Sequence, residues 1–120
     1  MTAKPSHDLS VDVSYQGGAT VARIAGTVDS LSADALLATL RSELANGNRR
    51  LVGDLSGVQY TSSTGLRALL GAVKAARRSG GDLRLAGART SVRKVLEMSG
   101  FTTVFQLYAD VDAAVASYDA

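Results

Sequence analysis

The stretch VQYTSSTGLRALLGA, residues 58–72, places four consecutive hydroxyl side chains at residues 61–64, directly before a leucine-rich segment. From there, apolar residues recur at the i, i+3, i+4 and i+7 spacing of one helix face: Leu66, Leu69, Leu70 and Val73. The hydroxyls therefore stand at a helix entrance, where one of them is expected to cap the free N–H groups of the first turn. One cap needs one residue, so four hydroxyls exceed that need.

Strand and helix patterns alternate along the rest of the chain. Alternating segments at 9–15 and 20–26, joined by QGGA, predict an opening β-hairpin. Further strands are predicted at 51–55, 82–87 and 102–108, and further helices at 33–46, 90–99 and 111–118, with Ser32 as the cap of the first helix. Strands alternating with helices need crossover connections. The sequence thus predicts one α/β domain with a mixed, mostly parallel sheet of about five strands and about four helices.

Length and composition narrow the class of protein. A chain of 120 residues fits one domain, and 13 basic against 11 acidic residues leave a net charge of only +2, which does not favour nucleic acid as a partner. Residues 1–8 lack periodicity and predict a flexible arm before a domain at 9–120. No apolar run approaches the roughly 20 residues of a membrane span, and the N-terminus lacks a signal-peptide core. We expect no membrane span and a cytoplasmic location.

The residues do not favour an enzyme. A serine nucleophile needs a positioned base, but the only histidine, His7, lies in the predicted arm, and no G-x-S-x-G motif surrounds the serines. Lys74, the candidate base of a serine–lysine pair, falls on the outer face of its predicted helix. The chain has no cysteine, and two dispersed carboxylates, Asp29 and Asp54, do not make a metal site. We therefore expect no catalytic residue, no metal and no cofactor.

Two segments are candidates for a binding site. In a mostly parallel sheet, sites gather where strands end and helices begin, which selects residues 25–32 and 54–65. Asp29 and Asp54 fall in these segments, with turn or cap roles as the alternative interpretation. Basic residues of the second half are interpreted as solvated faces, with contact to an acidic partner as the alternative: Arg77, Arg78, Arg84, Arg89, Arg93 and Lys94.

The order of these segments resembles a known family. Residues 51–101 contain a short strand ending in Asp54, then SSTGL, a leucine helix closed by GG, LRLAG and VRKVLEMSGF. This order is similar to the STAS domain, and in particular to the anti-sigma factor antagonists of bacterial partner switching. Upstream, IAGTVDSLSADAL resembles the Gly-x-x-Asp segment of that family. The resemblance covers nearly all of residues 9–118.

The resemblance implies a function and a switch. Such antagonists bind an anti-sigma factor that is also a serine kinase and so release a sigma factor. The kinase phosphorylates a serine two residues before Gly-Leu, and this modification dissociates the complex. A phosphatase removes the phosphate and so restores binding. Ser63 holds that position here, and a helix start tolerates a phosphate well. Ser62 stands where the family pattern has Asp, which leaves Ser62 as the alternative acceptor.

The same resemblance implies a partner-binding surface and one alternative function. The residues assigned to partner binding lie around the acceptor: Asp29, Val58, Tyr60, Ser62, Thr64, Gly65 and Leu66. The alternative is a non-switching STAS scaffold, a fixed subunit of a signalling or membrane-transport complex. The missing Asp at position 62 motivates it.

Overall fold

A computed structural model describes residues 9–119. The predicted arm at residues 1–8 lies outside that part of the chain. The strands are β1 (Leu9–Gln16), β2 (Ala19–Val28), β3 (Arg50–Thr61), β4 (Asp82–Ala86) and β5 (Leu107–Tyr108). The helices are α1 (Ala33–Ala45), α2 (Ser63–Arg78), α3 (Thr90–Met98) and α4 (Val111–Ser117). The five strands form one sheet in the order β1-β2-β3-β4-β5, with β1 antiparallel to β2 and the other pairs parallel, which confirms the predicted fold class.

The hairpin is closed by two glycines in the left-handed region. Gly17 and Gly18 have φ values of 56° and 80° between the paired residues Gln16 and Ala19. A two-residue turn of this kind matches the right-handed twist of the flanking strands. The hairpin therefore places β1 at the outer edge and leaves the long strand β2 free to pair with β3.

The sheet separates two apolar clusters. Successive residues of β2 point to opposite faces, so that Ile24 is buried in the larger cluster and Val21 in the smaller one. Helices α1, α2 and α3 cover the larger cluster, while α4 covers the smaller one. Among the described residues, no helix combines the length and the hydropathy that a membrane span requires.

Strand β3 is longer than predicted. The sequence predicts a strand at 51–55 and a loop from Asp54 to Gly65, but β3 continues to Thr61 because ten-residue β2 supplies a partner as far as the pair Val28 and Thr61. The sequence does not indicate this extension, because the polar residues and Gly57 interrupt the apolar pattern of a strand. A Cβ on Gly57 would lie 2.9 Å from the Cβ of Ala25. Glycine therefore allows β2 and β3 to approach closely where their register is irregular. The prediction that Asp54 ends a strand is wrong.

The predicted last strand at 102–108 is also too long. A 3₁₀ turn occupies Phe101–Thr103, and only Leu107 and Tyr108 pair with β4. The rings of Phe101 and Phe105 meet edge to face with centroids 6.1 Å apart. A turn brings residues four apart together, whereas an extended strand would separate them. Aromatic packing therefore replaces most of the predicted strand.

Tyr118 fastens the end of α4 to the sheet. Its hydroxyl lies 2.6 Å from the carbonyl oxygen of Leu51 and 2.9 Å from that of Asp82, in adjacent strands. The guanidinium carbon of Arg84 lies 4.0 Å from the centre of the ring. Burial, together with the Asp82 carboxylate, raises the pKa of Tyr118 well above its ordinary value of 10.0.

We expect Tyr118→Phe to lower the free energy of unfolding by about 1 kcal/mol, because the hydroxyl loses its strand carbonyls. The exposed Tyr60→Phe is the control and should change it by less than about 0.5 kcal/mol. Above pH 10 the unfolded chain ionises at Tyr118 while the folded chain stays protonated, so the unfolded chain binds fewer protons and stability falls. Urea unfolding from pH 8 to pH 11 should show the gap between wild type and Tyr118→Phe narrowing; a constant or widening gap contradicts this assignment.

Candidate functional site at the start of helix α2

The candidate site lies where β2 and β3 end side by side. Val28 and Thr61 are register partners, and the Ser62 N–H donates to the Val28 carbonyl at 2.8 Å. The turn after β2 and the first residues of α2 therefore leave the sheet at the same edge. The topology brings together the two segments that the sequence selected, 25–32 and the end of 54–65.

The four hydroxyls occupy four different environments. Thr61 is buried and donates to the carbonyl of Ser62 at 3.3 Å. Ser62 is half-buried and is the N-cap, since its Oγ accepts from the Gly65 N–H at 3.1 Å. Ser63 and Thr64 are exposed, and neither hydroxyl bonds to another described residue. Two hydroxyls thus build the helix start, and two are open to solvent.

Gly65 permits the close approach of α2 to β2. A Cβ at this position would lie 2.5 Å from the carbonyl oxygen of Val28 and 2.8 Å from the Thr61 hydroxyl. Backbone at that distance has no room to give, so any side chain would push the helix away from the strand. The glycine therefore holds the helix start, and with it Ser63, at a fixed place.

Asp29 shapes the turn beside the helix start. Its Oδ1 accepts from the N–H groups of Leu31 at 2.9 Å and Ser32 at 3.2 Å, as in an Asx-turn. The hydroxyl of Ser32 donates to the Thr27 carbonyl at 2.8 Å and accepts from the Asp29 N–H. Ser32 is the residue before α1, as predicted, but its side chain does not cap the helix, because the turn already engages it.

The remaining predicted partner-binding residues divide into buried and exposed ones. Val58 and Leu66 are each 1% exposed and belong to the core, so their side chains are not accessible to a partner. Tyr60 is 56% exposed. Leu31, which sequence reasoning missed, is 70% exposed in the turn after β2. The sequence does hold an indication of this exposure, because Leu31 lies outside the apolar stripe of α1.

Asp54 lies in the middle of β3, away from this site. Its Oδ1 accepts from the N–H and the hydroxyl of Ser56 at 3.0 and 2.8 Å, and Arg23 Nε lies 3.4 Å from Oδ2. The carboxylate supports the strand at the register irregularity between β2 and β3. Within residues 9–119, no group of three or more His, Cys, Asp or Glu residues is arranged to hold a metal ion.

Comparison with known proteins assigns the family. The STAS domain profile matches residues 10–114, and the chain belongs to the STAS domain family. BtrV of Bordetella bronchiseptica, assigned as an anti-sigma factor antagonist, is 38% identical over 101 residues, or 84% of this chain and 87% of BtrV.

Solved structures share the fold. The crystal structure of an anti-sigma factor antagonist from Mycobacterium paratuberculosis has a TM-score of 0.85 and 25% identity, covering 96% of this chain and 97% of that one. The Bacillus cell fate determinant SpoIIAA in its phosphorylated form has a TM-score of 0.70 and 17% identity, covering 91% and 99%.

We expect Ser62→Ala to lower the free energy of unfolding by about 1 kcal/mol, because it removes the cap of α2. Ser63→Ala is the matched control one residue away and should change stability by less than about 0.5 kcal/mol, because its hydroxyl makes no hydrogen bond with another residue of the described range. Urea unfolding of both variants measures the difference. Equal losses would mean that the two serines share the capping role.

Gly65→Ala and Gly71→Ala should change stability in opposite directions. The new methyl at position 65 meets the Val28 carbonyl, which costs about 1–3 kcal/mol. The methyl at position 71 would lie 3.9 Å from Leu37, an ordinary contact, so the better helix former stabilises α2 by about 0.5–1 kcal/mol. Thermal and urea unfolding of both variants test this; a tolerated Gly65→Ala would contradict the close approach.

Proposed function

We propose that this chain is an anti-sigma factor antagonist that binds an anti-sigma factor serine kinase, releases the sigma factor and is switched off by phosphorylation of Ser63. The observation that carries the proposal is that Ser62 and Ser63 have different environments. Ser62 caps α2 through its hydroxyl, whereas Ser63 is exposed and makes no bond with the described part of the chain. A kinase can modify Ser63 without removing a contact that holds the fold.

The position of Ser63 favours a phosphate chemically. It is the first residue of α2, where free N–H groups and the helix dipole stabilise an anion by about 0.3–1 kcal/mol. The first turn holds no acidic residue that would repel the phosphate. The modified protein should therefore remain folded.

The switch then acts in the complex. A phosphoserine carries about −1.5 to −2 charges and three acceptor oxygens. If the kinase packs over the surface that includes Leu31, Tyr60 and Ser63, the phosphate adds negative charge that has to be desolvated within the contact. A charge left without a partner group in an interface costs about 2–5 kcal/mol, which corresponds to a loss of affinity of about thirtyfold to several thousandfold.

The relatives support the role. BtrV and the Mycobacterium protein carry the description of anti-sigma factor antagonist, and the Bacillus protein of the same fold is known in a phosphorylated form. We propose accordingly that the chain acts by binding alone, with a phosphatase that restores the unmodified form, and that it works in the cytoplasm. The alternative is a non-switching STAS scaffold, and the phosphorylation and binding experiments below distinguish the two functions.

Incubation of the protein with ATP and an anti-sigma factor serine kinase that binds it should place one phosphate on Ser63, mapped by mass spectrometry. Ser63→Ala should abolish the label. Ser62→Asn is the matched control, since Asn removes the hydroxyl but keeps a capping oxygen, and it should leave the label on Ser63.

The affinity of the kinase for Ser63→Glu should be about a hundredfold lower than for wild type, as measured by calorimetry. A label on Ser62 would move the acceptor by one residue. Binding without any label, or equal binding of Ser63→Glu and wild type, would favour the scaffold.

A further inference from the structure

The exposed face of α2 carries a line of three cations. Arg67, Lys74 and Arg78 are exposed and follow one another at intervals of seven and four residues. At 100° per residue these intervals keep all three within about 20° of one line, and at 1.5 Å per residue the line is about 16 Å long. We refer to Arg67, Lys74 and Arg78 as the basic stripe.

No carboxylate of the described chain neutralises the basic stripe. The ion pairs among residues 9–119 engage Arg23, Arg50, Arg77 and Arg84, and none includes a residue of the basic stripe. Helix α2 contains no acidic residue at all. Arg77, one residue before the end of the helix, differs in this respect, because it pairs with Asp82 at 3.0 Å.

The basic stripe does not serve the stability of the helix. Lys74 and Arg78 are like charges at i, i+4, an arrangement that costs a few tenths of a kcal/mol. Arg67 lies just beyond the first turn of the helix, so it gains nothing from the helix dipole, which favours cations at the other end. Only Arg78, in the last turn, has a favourable place. Cations that cost the helix free energy are more readily explained by a partner.

We propose that the basic stripe docks an acidic surface of the protein partner that binds at Ser63. This inference rests on the proposed function and specifies the chemistry of the partner. The basic stripe is continuous with the proposed interface, since Ser63 precedes Arg67 by four residues and therefore lies on the same helix face. A protein is favoured over nucleic acid because the chain has a net charge of only +2 and the basic stripe holds only three cations along about 16 Å of one helix.

The same arrangement links the basic stripe to the switch. A phosphate on Ser63 is within reach of the Arg67 guanidinium at i+4, where the two can form charge-assisted hydrogen bonds. The phosphate then pairs with the Arg67 guanidinium, which would otherwise attract the acidic partner. Phosphorylation therefore reverses the charge at one end of the basic stripe.

A titration without the kinase tests the basic stripe by itself. In ¹H–¹⁵N NMR at about 50 mM NaCl, a polyglutamate peptide should shift resonances mainly around the basic stripe. The triple variant R67Q/K74Q/R78Q should bind it at least about fivefold more weakly. The control R41Q/R93Q/K94Q removes three other exposed cations that lie outside the ion pairs and should change affinity by less than about twofold.

Equal effects of the two triple variants, or shifts spread over all exposed cations, would overturn the proposal. A short DNA duplex that binds the stripe and still does so at about 150 mM NaCl would replace the acidic protein by nucleic acid.

Association kinetics with the anti-sigma factor kinase test the role in the complex. R67Q/K74Q/R78Q should lower the association rate about tenfold at low salt and flatten its salt dependence, whereas the control triple should not. Unchanged association of the stripe variant would overturn the inference while leaving the proposed function intact. A kinase that does not bind wild type at all would overturn the proposed function, and the peptide titration would still decide the basic stripe.

Discussion

The contact between the start of α2 and the end of β2 is the constraint on which the site depends. The carbonyl oxygen of Val28 accepts the Ser62 N–H at 2.8 Å, and it lies only 2.5 Å from the position that a Cβ at residue 65 would take. Backbone therefore meets backbone without an intervening side chain. Because both partners are main chain, the direction in which α2 leaves the sheet is set within narrow limits, and Ser63 at its first position faces solvent.

That contact exists only because β3 reaches Thr61. The extension passes a register irregularity beside Arg23 and Ala25, where Asp54 holds the Ser56 N–H and Gly57 lets two strands approach closely. Asp54 is thus distant from the site, but it supports the strand whose far end pairs with Val28 and leads into the helix start. The buried carboxylate belongs to the strand that carries the hydroxyls to the edge.

Local patterns predicted the parts of the fold that depend on local physics. The hairpin follows from Gly17 and Gly18, and the leucine spacing from residue 66 onward predicts α2. The length of β3 depends on its partner β2, and the turn before β5 depends on aromatic packing, so neither is visible in the segment itself.

The site shows the same limit. Spacing could place four hydroxyls at a helix start, but only the bond from the Gly65 N–H to Ser62 Oγ separates the cap from the free hydroxyls. The burial of Val58, likewise, follows from tertiary packing, whereas the burial of Leu66 is already indicated by the apolar face of α2.

The structure divides the helix start between two sets of residues with different physical constraints. Thr61, Ser62 and Gly65 are committed to the fold by hydrogen bonds and close packing, so their substitution changes stability first. Within residues 9–119, Ser63 and Arg67 make no hydrogen bond or ion pair through their side chains, so a change of charge there alters the surface field first. A serine that both capped the helix and carried the phosphate would couple these effects, because modification would disturb the cap. In the proposed switch the two roles fall on adjacent residues, so that a charge is added at the surface of a helix whose start stays in place.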